Sequence, residues 1–187
     1  MGRPSLPQGT LMHTFQNSLS LRGFRTIALV LLAGLSIMQT ALALDKPTER
    51  VVLTIAGNVS NKNQDATAVF SMAMLEKLPQ HKVFTKSPWY PQGAEFTGPL
   101  LRDVLAAAGA KGDKIIAVAL NDYKTEIPLQ DAYKFDVILA HHMNGKPMPV
   151  REKGPLFIVY PFDSKPELQS EVYQNRSAWQ LVRLTIQ

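Results

Sequence analysis

Apolar residues in this chain change their spacing from one stretch to the next. From Thr26 to Leu44 there is no charged side chain, and Ile27 to Ala33 is wholly apolar. Past Asp45 the apolar runs are short. Val51-Val52-Leu53-Thr54-Ile55-Ala56-Gly57 is β-branched and stops at a glycine, which predicts a strand. Ala66 to Leu78 sets Val69, Phe70, Ala73, Met74 and Leu78 at helical spacing, predicting an amphipathic helix ended by Pro79. His81–Thr85 reads as a strand, and Ser87–Gly93 as a turn-rich loop carrying Trp89 and Tyr90. Pro99 to Gly109 puts Leu100, Leu101, Val104 and Leu105 on one face of a second helix. Further strands are predicted at Ile115–Leu120, Phe135–Ala140, Leu156–Tyr160 and Trp179–Ile186, with a strong turn at Asn144-Gly145.

Short strands with two or three short helices predict an α+β fold built on a mixed β-sheet, not a doubly wound one. No glycine-rich phosphate loop follows a strand, and G-x-S-x-G does not occur. The first 43 residues stand apart. Arg3, Arg22 and Arg25 precede the apolar run, and Ala41-Leu42-Ala43 ends it with small residues correctly spaced for a signal peptidase. That pattern predicts a secretory signal peptide cleaved after Ala43, leaving residues 44–187 as one domain. The alternative is an uncleaved N-terminal anchor, since the run approaches the length of a membrane span. Met12 is a second candidate for the true start.

Charge matters less than the whole-chain value suggests. The sequence has 20 Lys+Arg and 15 Asp+Glu, a formal +5. The leader holds three of the basic residues and no acid, so residues 44–187 carry 17 against 15, or +2. With no basic patch interleaved with aromatics, nucleic acid is not an expected partner. There is no cysteine, so thiolate nucleophiles, thiolate metal ligands and disulfides are excluded.

The order of segments from Leu53 onward resembles the molybdopterin-binding domain of the sulfite-oxidase family. The pieces that carry the resemblance are Phe96-Thr97-Gly98-Pro99-Leu100-Leu101-Arg102-Asp103-Val104-Leu105, Asn121-Asp122-Tyr123 into Ile127-Pro128, and Ile138-Leu139-Ala140 through Asn144-Gly145-Lys146-Pro147-Met148. Gly154-Pro155-Leu156 into Val159-Tyr160-Pro161 and the late Trp179 complete them. The resemblance implies a sulfite-oxidase-like molybdopterin-binding fold. Two departures bear on activity. Catalytic members hold molybdenum through a cysteine thiolate upstream of the segment equivalent to Phe96–Leu105, where this chain offers only Ser87. The leader also lacks the paired arginines of the route that exports a loaded cofactor; Arg22 and Arg25 are separated by Gly23-Phe24.

Val150–Leu156 and Tyr173–Leu181 are similar to a small exported subgroup, periplasmic pterin-binding regulators of membrane-bound cyclic di-GMP enzymes. That resemblance implies a periplasmic, non-catalytic pterin sensor whose partner is the periplasmic domain of such a regulator, with pterin as ligand and molybdenum not expected. The alternatives are a molybdopterin-dependent oxidoreductase with a non-thiolate ligand, and a periplasmic interaction or maturation subunit.

A pterin is a flat polar bicycle, so its site needs a stacking plane, an acceptor for its N–H groups and a donor for its carbonyl. Trp89 and Tyr90 are the stacking candidates, with Trp89 as a core plug the alternative. Asp122 is the candidate carboxylate, or else a turn-forming residue, and Tyr123 a candidate hydroxyl or second face. Arg151 is a candidate donor to the pterin carbonyl, or a surface ion pair with Glu152 or Asp163. Arg176 belongs either to the pocket or to an ion pair, and Trp179 is expected in the core. His141 and His142 are expected to be structural or solvent-facing, because neighbours on a continuous strand point to opposite faces. Ser87 has no His–Asp partners nearby in sequence, so no catalytic residue is assigned.

Overall fold

The computed structural model describes residues 44–187; the predicted leader and its cleavage site, residues 1–43, lie outside the described residues. The expected strand at the start of the domain is β1 (Val51–Gly57). The expected helix over Ala66–Leu78 divides in two. Ala68–Ser71 is strand β2, buried along its whole length, and only Met72–Glu76 is helical (α1). Val69 and Phe70 pair antiparallel with Thr54 and Leu53 of β1. Burying Phe70 is worth about 1.5–3 kcal/mol, and it draws this β-favouring pair into the sheet against its helical spacing. Ser71 then starts the helix by accepting a hydrogen bond from the Met74 N–H at 3.3 Å.

Strands β3 (Gln80–Ser87) and β4 (Tyr90–Pro99) form a hairpin, so the expected loop around Trp89 is a tight turn. Helix α2 (Leu101–Ala107) follows, buried through Leu101, Val104 and Leu105. β5 (Lys114–Ala119) and β6 (Lys124–Pro128) are joined by the Asn121–Tyr123 segment. A four-residue helix α3 (Asp131–Lys134) leads to β7 (Ile138–Ala140). β8 (His142–Met143) and β9 (Lys146–Pro147) enclose the Asn144-Gly145 turn, whose two residues both have positive φ, as a hairpin of this type requires. β10 (Phe157–Val159), helix α4 (Glu171–Arg176) and β11 (Leu181–Ile186) complete the order.

The strands form a mixed five-stranded sheet in the order β2-β1-β11-β5-β6, a four-stranded sheet β3-β4-β8-β9, and the pair β10-β7. β1 and β11 are parallel, and the other pairs are antiparallel. The α+β class built on a mixed β-sheet, expected from the sequence, therefore holds. One apolar cluster packs the five-stranded sheet against α1 and α2; a second lies around Phe96, Ile138 and Phe157. Trp89 touches both. No helix among the described residues is long and apolar enough to cross a membrane.

The continuous strand assumed for the two histidines is absent. β7 ends at Ala140 and β8 begins at His142, so the chain breaks direction at His141. The two rings meet edge to face, with centroids 4.7 Å apart.

Candidate functional site

Trp89 sits at the tip of the β3–β4 hairpin, where the turn aims its ring inward. It meets Trp179 edge to face at 5.1 Å and Phe157 at 5.9 Å. Trp179 is held by a β-bridge to Phe157, just before β11 begins. The two indoles form one wall of a pocket of about 240 Å³. Its floor includes Ala119, and its rim carries Asn121, Tyr123, Gln174, Asn175 and Ser177.

The rim is braced by local hydrogen bonds. The Tyr123 N–H donates to Asn121 Oδ1 at 3.2 Å, closing a turn of the Asx type. The Tyr123 hydroxyl donates to the Asn175 carbonyl at 3.0 Å, which ties the β5–β6 loop to α4. Ser177 closes the end of α4 through its hydroxyl, which donates to the Tyr173 carbonyl at 2.9 Å. The pocket thus joins two aromatic planes to a rim of carboxamides and hydroxyls. That is the lining suited to a flat heterocycle with donors and acceptors on its edge. Its volume is below the roughly 300–1,000 Å³ of ordinary ligand pockets, a size that takes one small ring system.

Lys153 adds a charge behind this wall. Its ammonium lies 3.7 Å from the Trp179 ring centroid and 5.2 Å from that of Trp89. Partial burial pushes the lysine pKa down, while the ring faces favour the charged form. Lys153 has a left-handed backbone, and its carbonyl accepts the Gln180 N–H at 2.9 Å, so the loop is fixed beside Trp179.

The residues selected from sequence are dispersed. Trp89 and Tyr123 line the pocket, and Trp179, expected only in the core, lines it with them. Tyr90 lies outside the lining and packs edge to face on Phe96 at 5.5 Å. Burial, then the negative charge of Glu152, pushes its hydroxyl pKa up. Asp122 is exposed, has φ +63°, and stands on the other side of its turn beside Val118 and Arg183. Arg151 is 84 % exposed and pairs with Glu152 at 3.4 Å. Arg176 is committed to Asp131 at 2.9 Å and carries its guanidinium over the Tyr173 ring. Of the four polar candidates, only Tyr123 reaches the pocket. Asn121 takes the position expected for Asp122, and Lys153 is the basic residue of Arg151-Glu152-Lys153 that reaches the indoles.

Ser87 ends β3 at the place where the resemblance expects a metal thiolate. Its Oγ is sealed from solvent and has no hydrogen-bond partner. A neutral, enclosed hydroxyl does not supply the anionic donor and open face that a molybdenum centre requires, and the chain has no cysteine to replace it. The residues present do not fit a molybdenum-bound cofactor.

Comparison with known proteins agrees with this architecture. A family model described as the oxidoreductase molybdopterin binding domain matches residues 41–163. Among solved structures, the sulfane dehydrogenase SoxCD from Paracoccus pantotrophus is similar, with a TM-score of 0.51 and 23% identity. The alignment covers 72% of this chain and 37% of that one, so this chain spans well under half of its length. No curated protein matches the chain significantly.

Proposed function

The chain belongs to the oxidoreductase molybdopterin-binding domain family, and from that premise we propose that it is a periplasmic, non-catalytic pterin sensor that regulates a membrane-bound cyclic di-GMP enzyme. The observation that carries the ligand class is the Trp89–Trp179 pocket. One small bicycle stacks on an indole, and the carboxamides of Asn121 and Asn175 read its polar edge. The poor fit of Ser87 to a metal centre favours a free pterin over a molybdenum-bound one. A sensor must bind its ligand more tightly in one partner-binding conformation than in the other. The pocket suits that demand, because it is built from the β3–β4 hairpin tip, the β5–β6 loop and α4, three elements that a ligand would tie together.

Calorimetry with reduced and oxidised pterins tests the ligand. Trp89→Ala is expected to weaken binding about tenfold or more, since base–aromatic stacking is worth about 1–3 kcal/mol. Asp122→Ala, outside the pocket, is expected to leave affinity within about twofold, a change under 0.5 kcal/mol. Equal affinity in the parent and Trp89→Ala would remove this pocket from consideration. Stoichiometric molybdenum in protein purified from its own host would overturn the non-catalytic reading. Capture of a membrane cyclic di-GMP enzyme that depends on added pterin is the expected result for the signalling step; capture unaffected by pterin would refute it.

A further inference from the structure

The break between β7 and β8 gathers chemistry that the pterin pocket does not use. We propose that Glu76, His141 and His142 bind one divalent transition-metal ion, with zinc as its fitting occupant, through Nδ1 of both imidazoles and a carboxylate oxygen. One ligand atom from each residue lies within 4.8 Å of the other two. None of the three lines the Trp89 pocket.

Gln80 makes the arrangement specific. Its side-chain N–H groups face three carbonyls, those of Leu75 at 2.9 Å, Leu78 at 2.8 Å and Glu76 at 3.4 Å. Carbonyls only accept, so the amide nitrogen must lie on that side and Oε1 on the other. Oε1 is 2.8 Å from His141 Nε2. An amide oxygen cannot donate, so Nε2 of neutral His141 carries the proton and its Nδ1 is an acceptor. That lone pair accepts from the Nδ1–H of His142, a proton that an ion held by both Nδ1 atoms displaces. A histidine whose remote N–H is held by an oxygen acceptor, with its other nitrogen turned into a shared space, has the orientation of a metal ligand with its outer support in place.

The backbone holds the position. The His141 N–H donates to the Thr97 carbonyl at 3.0 Å, and its carbonyl accepts from the Met148 N–H at 2.9 Å. His142 is fixed between Thr97 and Pro147 by strand register. Ligands sharing a zinc ion at about 2.0–2.2 Å stand roughly 3–3.5 Å apart. Seating the ion therefore spreads the two Nδ1 atoms and swings Glu76 inward, which its exposed side chain permits. Three protein ligands leave a fourth position for water. The exposed Glu76 and half-buried His142 give the ion a route from solvent.

The test is titration of chelator-stripped protein with zinc chloride near neutral pH. One equivalent is expected to bind at about micromolar affinity or tighter. His142→Ala and Gln80→Ala are each expected to weaken binding about tenfold or more, the second because the His141 ring loses its orienting acceptor. Copper(II) as a spectroscopic probe is expected to show hyperfine coupling to imidazole nitrogen that His142→Ala diminishes. Neither variant removes a fully buried side chain, and circular dichroism reports whether they fold. Absence of saturable zinc uptake overturns the proposal. So does an affinity in folded His142→Ala within about twofold of the parent's, because the ion would then sit elsewhere.

Discussion

Gly98→Ala is expected to destabilise the domain by about 3 kcal/mol or more, at or beyond the upper end of ordinary overpacking costs. A Cβ at Gly98 would stand 2.1 Å from the Leu139 carbonyl oxygen, 2.7 Å from its carbon and 2.8 Å from the Ala140 Cα. All three are backbone atoms, so no side-chain rotation relieves the clash. β7 cannot retreat either. Leu139 and Ala140 pair with Ile158 and Phe157 of β10, and the Val137 carbonyl accepts the Leu101 N–H at 2.8 Å. The Thr97-Gly98-Pro99 segment thus holds glycine because β4 crosses β7 at backbone contact. Urea unfolding followed by circular dichroism measures the loss. Gly145→Ala is the control: its φ is +75° but no atom beyond its chain neighbours lies within 4 Å of the added methyl, so only the left-handed penalty of about 1–2 kcal/mol applies. Equal losses in the two variants would show that the crossing is not the constraint.

Asp131→Ala is expected to cost about 2–4 kcal/mol, a little under the range for breaking a fully buried ion pair. One carboxylate oxygen, Oδ2, accepts from the Tyr160 hydroxyl at 2.8 Å and from Arg176 Nη1 at 2.9 Å. Tyr160 is fully buried, and the Asp131 and Arg176 side chains are 9% and 22% exposed. Removing the carboxylate strands a phenol and a guanidinium together. Tyr160→Phe removes only one donor and is expected to cost about 1 kcal/mol. The cluster also sets an alkaline limit. Burial first, then the Asp131 charge, push the Tyr160 pKa far above its ordinary value. Above pH about 10 the unfolded tyrosine loses its proton while the native one keeps it. The native state then binds more protons, so this contribution to stability is complete below that pH and falls as pH rises. Tyr160→Phe should flatten the alkaline limb of a stability–pH profile. An unchanged slope would show that other groups set it.

Much of the β framework was legible because Val51–Gly57, Ile115–Leu120 and Trp179–Ile186 combine β-branched residues with clear ends. Ala66–Leu78 misled because its helical spacing is shared by a strand buried on both faces and a short helix capped by Ser71. Helices α3 and α4 have four and six residues, too few for a period to register. At the site, Trp89 and Tyr123 were legible as aromatics in turns. Trp179 was not legible as a pocket wall, because an indole can plug a core and line a cavity at once. Asn121, Asp122 and Tyr123 are consecutive polar positions, and the positive φ that turns Asp122 away leaves no mark in composition. The proximity of the two histidine rings was not legible, because a single kink at His141 cancels the alternation of a continuous strand.

The parallel pairing of β1 with β11 also governs when the domain can exist. β11 lies between β1 and β5 in the five-stranded sheet, so that sheet has a vacant centre until Leu181–Ile186 have been synthesised. Until then β1 and β5 each lack a neighbour, and helices α1 and α2 have no finished surface to cover. Contacts this distant along the chain form slowly, because the closure entropy must be met before any reward arrives. Until β11 pairs, the β-branched edges of β1 and β5 stay exposed, which raises the risk of aggregation during folding.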